Sequence, residues 1–210
     1  MSIGGWLFAA VYDRFTAGAE AAGLSKRREE LLADARGRVL EIGAGTGANL
    51  AFYPDAVTLT LAEPERPMAK RLERRVASQA RPASIVEAPA ERLPFPDASF
   101  DTVVVTLVLC TVTDPARALA EIRRVLAPGG RLLFLEHVRS DDARIARWQD
   151  RLNGVNKIIA HGCNCNRATL DAIRAAGFTI VELTQGEFPK APPFVRPLAL
   201  GAATPPPTPE

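Results

Sequence analysis

Residues 40–50 read LEIGAGTGANL, three glycines at alternate positions behind a short aliphatic run. Gly43, Gly45 and Ala48 satisfy the G-x-G-x-x-G/A pattern of a dinucleotide-binding turn, while Glu41, Gly43, Gly45 and Gly47 satisfy a second pattern, E-x-G-x-G-x-G. The glycines are common to both cofactor loops. The carboxylate is what differs.

Outward from this loop, strand-like and helix-like segments alternate. RVLEI (38–42), VTLTLA (57–62), SIVEA (84–88), DTVVVTL (101–107) and RLLFLE (131–136) are short and almost continuously apolar, as buried parallel strands are. The stripe Ala118, Leu119, Ile122, Val125 predicts a helix over 115–126. Asp114 is its N-cap, Pro115 its first residue, and Pro128, Gly129 and Gly130 its stop. The alternation implies an α/β fold, an open doubly wound sheet with helices on both faces. Such sheets bind ligands outside the carboxyl ends of their strands.

Past the fifth strand, Ile145, Trp148, Leu152, Val155 and Ile159 space themselves along one helix, and Leu170, Ile173 and Ala176 along another that Gly177 closes. Two late strands are expected over 179–183 and 197–203, and the tail TPPPTPE (204–210) is expected to be disordered. At the other end, Ile3, Trp6, Leu7, Ala10 and Val11 recur at helical spacing. That pattern predicts a helix packed on the domain, with a lid over the site or a shallow membrane contact as the alternatives. The chain thus divides into N-terminal helices (1–36), one domain (37–203) and the tail (204–210).

Composition removes several function classes. The 210 residues are 47% hydrophobic and 24% charged with a formal net charge of +2, so nothing marks a nucleic-acid surface. No apolar run reaches the roughly 18 residues of a membrane span. The segment SIGGWLFAAVYDRF lacks the basic region and cleavage site of a signal peptide. Cys110, Cys163 and Cys165 are too few for a disulfide framework, which points to a reducing, cytoplasmic compartment. His161 is the one candidate near Cys163-x-Cys165 to complete a metal site, so no metal is expected.

Chemistry separates the two loop patterns. A dinucleotide loop lays a pyrophosphate on backbone N–H groups at a helix start, and a carboxylate beside it opposes that. At an assumed separation of about 4 Å and an effective dielectric of about 20, the repulsion is about 4 kcal/mol, roughly three orders of magnitude in affinity. S-adenosylmethionine carries no phosphate, and its ammonium favours a negative neighbour. Glu41 therefore helps one cofactor and hurts the other, unless it is merely a solvated strand-end residue. On the cofactor reading, Glu41→Gln weakens S-adenosylmethionine binding and leaves the fold intact. Glu63, at the end of the second strand, suits the two hydroxyls of a ribose, which both cofactors carry.

LEIGAGTGAN, AEPERPM, APAERLPFPDASFDTVVVTLVLCTV and IRRVLAPGGRLLFLEHV resemble successive motifs of class I S-adenosylmethionine-dependent methyltransferases, over roughly residues 12–203. EIGAGTGANLAFYP, VVVTLVLCTVTDP, LEHV and HGCNCNRATL are similar to the alkyl-thiol methyltransferases, the methyltransferase-like seven group of membrane-associated enzymes. The resemblance implies a seven-stranded Rossmann-like sheet with its last strand antiparallel, S-adenosyl-L-methionine as cofactor and S-adenosyl-L-homocysteine as product. It implies that Gly43, Ala44, Gly45 and Gly47 line the methionine part with Glu41 behind them. Glu63 would hold the ribose, Pro64 would lie against the adenine, Ala90 and Glu91 would meet the adenine edge, and Thr106 and Leu107 would lie under the cofactor. Two departures stand out. Pro89 replaces an aspartate that many relatives use on the exocyclic amine, leaving that task to a backbone carbonyl or Glu91, and the long hydrophobic anchor of the thiol-methylating relatives is replaced by a short segment ending near Phe15.

The implied reaction moves a methyl group to a small, lipophilic acceptor, a thiol first. A quinone or phenol C- or O-methyltransferase, a phospholipid N-methyltransferase and, more distantly, an NAD-dependent oxidoreductase are the alternatives. In-line displacement asks mainly for positioning. If a neutral thiol must lose its proton, His137 is the best-placed base, beyond Glu136 at the carboxyl end of the fifth strand; a structural histidine orienting the adjacent loop is the commoner outcome. His161, Cys163 and Cys165 fall where relatives build the acceptor pocket, although cysteines most often pack as small apolar residues. Trp6, Phe8, Trp148 and Ile159 are roof candidates over a lipophilic acceptor, against the commoner role of core.

Overall fold

In the computed structural model, residues 16–206 are described. Seven strands form one sheet: β1 (Arg38–Ile42), β2 (Thr58–Ala62), β3 (Ala83–Val86), β4 (Phe100–Thr106), β5 (Leu126–His137), β6 (Thr179–Glu187) and β7 (Pro197–Thr204), in the order β3-β2-β1-β4-β5-β7-β6. β1 pairs parallel with β2 and β4, β2 with β3, and β4 with β5, whereas β7 runs antiparallel between β5 and β6. The topology switches direction between β1 and β4, so the crevice at their carboxyl ends is the expected ligand site.

The helices are α1 (Ser25–Leu32), α2 (Arg66–Ser78), α3 (Pro115–Val125), α4 (Ala143–Ile159) and α5 (Thr169–Ala175). A π-helical turn, Glu20–Leu24, leads into α1 and kinks at Gly23. Side chains alternate across the sheet. Leu40, Ile42, Val103, Val105, Leu132 and Phe134 pack with Ala118, Leu119, Ile122 and Val125 of α3 and Ile173 of α5 on one face. Val39, Leu59, Leu61, Val104, Leu133 and Leu135 pack with Leu31 and Leu32 of α1 and Leu72 of α2 on the other. Two-sided burial is why the central strands read as unbroken apolar runs.

The α3 signals hold: Asp114 accepts from the Arg117 amide, and Gly177 follows α5 at φ +88°. Strand edges move. β5 starts at Leu126, not Arg131, because Phe100 pairs with Leu126 and the ladder then shifts register over Ala127–Gly130. β4 stops at Thr106, since Leu107 takes φ +61°. β3 is Ala83–Val86 instead of 84–88, and β6 runs on to Glu187. The tail expectation holds no residue before 205, as Thr204 belongs to β7; residues 207–210 and the predicted N-terminal helix with Trp6 and Phe8 lie outside the described residues. Trp148 and Ile159 are 55% and 64% exposed, so neither is core. No helix among the described residues is long and apolar enough to cross a membrane.

Candidate functional site

The glycine loop leaves β1 through three left-handed residues, Gly43 (φ +64°), Gly45 (φ +58°) and Gly47 (φ +86°). A Cβ on Gly43 would stand 2.5 Å from Val108 Cγ2, so this glycine lets the loop close on the end of β4. On Gly45 it would meet nothing nearer than the Gly43 carbonyl at 4.0 Å, which leaves space for a ligand against the backbone. The Ala44 amide donates to the Ala62 carbonyl at 3.1 Å and ties the loop to β2.

Beneath the loop lies a buried polar network. Glu41 Oε1 accepts from Asn49 Nδ2 at 2.8 Å, and Oε2 from the Tyr53 hydroxyl at 2.7 Å. Thr106 Oγ1 accepts from Asn49 at 3.0 Å and from Arg28 Nη1 at 3.1 Å. Arg28 also donates to Asn49 Oδ1 at 2.8 Å and, through Nε, to Glu20 at 3.0 Å. Glu41 is 2% exposed, which removes the solvated alternative. Burial pushes its carboxyl up to about 7 against the pull of Tyr53, Asn49 and the Arg28 guanidinium.

Glu63, just past β2, braces the loop from the side: Oε2 accepts from the Gly45 amide and Oε1 from the Glu65 amide, each at 2.8 Å. Burial raises its pKa and these two donors oppose the rise. Pro64 follows it, exposed, while Ala90 is buried. Glu91 Oε1 accepts from the Thr113 and Asp114 amides at 3.0 and 3.3 Å and braces the entry to α3.

Leu107, in the left-handed region, donates its amide to the Leu135 carbonyl at 2.7 Å and turns the chain under the glycine loop. The following amides converge on Glu136: Val108 and Leu109 donate to Oε1 at 2.8 Å each, and Cys110 to Oε2 at 3.1 Å. Burial pushes Glu136 up to about 7, against those backbone donors.

His137 faces the opposite side of β5. Its ring lies 4.9 Å from the Phe188 ring, and burial drives its pKa down to about 4, partly opposed by the Val195 and Pro197 carbonyls. Nδ1 is buried without a hydrogen-bond partner among the described residues. The imidazole is held neutral against the β6–β7 connection. Cys110, Cys163 and Cys165 are all buried free thiols, and His161 stands 3.7 Å from Glu65. Among the described residues no group of side chains could hold a metal.

Arg28, Asn49, Tyr53 and Glu136 are the residues that sequence reasoning missed; the polar Asn49 and Tyr53 inside LEIGAGTGANLAFY were the available signal. The description "Methyltransferase domain" matches residues 40–134. Human thiol S-methyltransferase TMT1B is 38% identical over 170 residues, 76% of this chain and 70% of that protein. The chain belongs to the S-adenosylmethionine-dependent methyltransferase family. Rat TMT1B is likewise 38% identical, over 160 residues, and the chain covers 64% of its length. Ubiquinone/menaquinone biosynthesis C-methyltransferase UbiE of Marinomonas is 34% identical over 147 residues, 65% of this chain and 59% of that one. An S-adenosylmethionine-dependent methyltransferase structure from Thermotoga maritima superposes with a TM-score of 0.69 at 24% identity, covering 95% and 96% of the two chains, and shows the shared fold. The open space at Gly45 and the carboxylates Glu41 and Glu63 beside the loop fit this family's cofactor better than the pyrophosphate of a dinucleotide.

Proposed function

We propose that this chain moves a methyl group from S-adenosyl-L-methionine to the sulfur of a small lipophilic thiol by in-line displacement, releasing S-adenosyl-L-homocysteine. The observation that carries the reading is the 38% identity to thiol S-methyltransferase TMT1B across 170 residues. Bound cofactor would supply an electrophilic methyl group on a sulfonium. The chain's own residues position it. Gly43, Ala44, Gly45 and Gly47 line the methionine part, with Glu41 beneath them supplying the negative environment that the ammonium prefers. Glu63, already fixed by two amides, offers its remaining lone pairs to the ribose. Pro64 and Ala90 border the adenine, and Thr106 and Leu107 floor the site. Attack by a thiolate on a sulfonium neutralises charge, so a dry pocket favours it. His137 orients the β6–β7 connection.

A panel of alkyl thiols, phenols, quinols and amines with labelled methyl donor tests the reading. Label in a thioether is expected. Label on quinol carbon would instead support the second reading, which the match to UbiE favours. Tight NAD(H) binding with no calorimetric response to S-adenosylhomocysteine would overturn both.

A further inference from the structure

Two thiols lie in contact outside the groups used above. Cys163 Sγ is 3.8 Å from Cys110 Sγ, one on the segment between α4 and α5 and the other on the loop after β4. The two segments are already laced together: the Asn164 amide and side chain donate to the Cys110 carbonyl at 2.8 and 3.2 Å, and Arg167 Nη1 donates to the Val112 carbonyl at 2.9 Å. Closing a disulfide needs the sulfurs to move together from 3.8 Å to about 2 Å.

The surroundings of the two sulfurs are not alike. Cys110 is fully buried, donates its amide to Glu136, and is held as a thiol by its contact with Cys163, by burial and by that carboxylate. Cys163 retains 6% exposure, and its pKa is lowered from the ordinary thiol value by the Cys110 contact, the Asn156 amide and the Arg167 guanidinium, against burial and the Glu136 carboxylate. Cys165, 1% exposed, is pushed up to about 11 by burial. Of the touching pair, Cys163 is the sulfur with a path to solvent and Cys110 the one enclosed behind it.

We propose that Cys163 is an oxidation site for hydroperoxides and that Cys110 is its resolving partner. The Cys163 thiolate attacks one peroxide oxygen, forming an S–O bond and breaking the O–O bond, and hydroxide leaves and takes up a proton as water. The Cys110 sulfur then attacks the sulfenic sulfur, forming the S–S bond and breaking the S–O bond; the departing hydroxide takes the Cys110 proton. Two thiols and one hydrogen peroxide become one disulfide and two waters. The link pins the segment between α4 and α5 to the loop that begins at Leu107.

The test treats the whole folded chain with hydrogen peroxide and reads intact mass and a non-reducing peptide map. A loss of two hydrogens, a Cys110–Cys163 linked peptide and reversal by dithiothreitol are expected. In Cys110→Ala, dimedone should label Cys163, and in Cys163→Ala neither remaining cysteine should react at that dose. A linkage through Cys165, or three reduced cysteines at a peroxide excess that oxidises the urea-unfolded chain, would overturn the proposal. The wild-type map decides alone if either variant fails to fold, and because it needs no methyl transfer its outcome is independent of the activity.

Discussion

The Tyr53 hydroxyl donates to Glu41 Oε2 at 2.7 Å, and with Asn49 on Oε1 both oxygens of the loop carboxylate are committed inside the protein. Glu41 therefore acts on the cofactor through its field and through the loop it anchors. Tyr53→Phe should cost about 1–3 kcal/mol, the range for stranding a buried acceptor, as read by urea denaturation. Glu41→Gln must turn an amide toward one of two donors, so it should lose stability of that order as well as S-adenosylmethionine affinity, in contrast to the intact fold expected from sequence. Calorimetry showing wild-type affinity in Glu41→Gln would remove the residue from the site.

Gly43→Ala places a methyl group 2.5 Å from Val108 Cγ2 at a left-handed residue. About 1–2 kcal/mol of backbone strain adds to the clash, so cofactor affinity should fall at least as much as stability. Combining it with Val108→Ala should recover part of the loss by relieving the contact. An unaltered double-mutant deficit in thermal melts would show that the backbone conformation, not the contact, sets the cost.

Glu136 holds three amides, and its two variants should diverge. Glu136→Ala strands all three donors in the core and should destabilise by several kcal/mol. Glu136→Gln keeps one acceptor oxygen and should fold, with a weakened loop over 107–110. Faster hydrogen exchange at Val108–Cys110 in the Gln variant is the measurement, and exchange equal to wild type would contradict the cage.

His137 should make itself felt as a pH dependence of stability. A free imidazole titrates near 6.5, and burial holds this one to about 4, so on acidification the unfolded chain takes the proton first. Its contribution is complete above pH 6.5 and is lost as pH falls toward 4. Glu41 and Glu136, pushed up to about 7, run the other way: what they cost at neutral pH is relieved as pH falls from 7 toward 4.5. The gap in urea midpoint between wild type and His137→Asn should shrink from pH 6.5 to pH 4. A constant gap would place the histidine's role in packing alone, and lost turnover with intact cofactor affinity in His137→Ala would restore it as a base.

The legible parts of the fold were those set by neighbours in sequence. Period and punctuation located β1, α3 and the Gly177 stop because alternation, caps and left-handed glycines act within a few residues. Strand ends slipped where tertiary pairing overrode local pattern, as when Phe100 recruited Leu126 ahead of the proline–glycine irregularity in β5. Within the site, the glycines and strand-end carboxylates were readable, but their partners were not. Arg28 reaches Thr106 across 78 residues, and Glu136 meets amides on another strand's loop, relationships that only the sheet order creates. Trp148 and Ile159 sit at core spacing on a helix whose apolar side faces outward, which periodicity cannot tell from burial.

β7 is last among the strands in sequence and yet interior in space, seated between β5 and β6. As the polypeptide is synthesised, five parallel strands can assemble while β6 has nothing to pair with until Pro197–Thr204 emerges. A nascent chain halted before Pro197 carries two unpaired edges, those of β5 and β6, each a template for association. Removing Pro197–Thr204 is therefore not a trim of the periphery but the removal of a keystone, and the sheet commits to its final architecture only once that strand has been made.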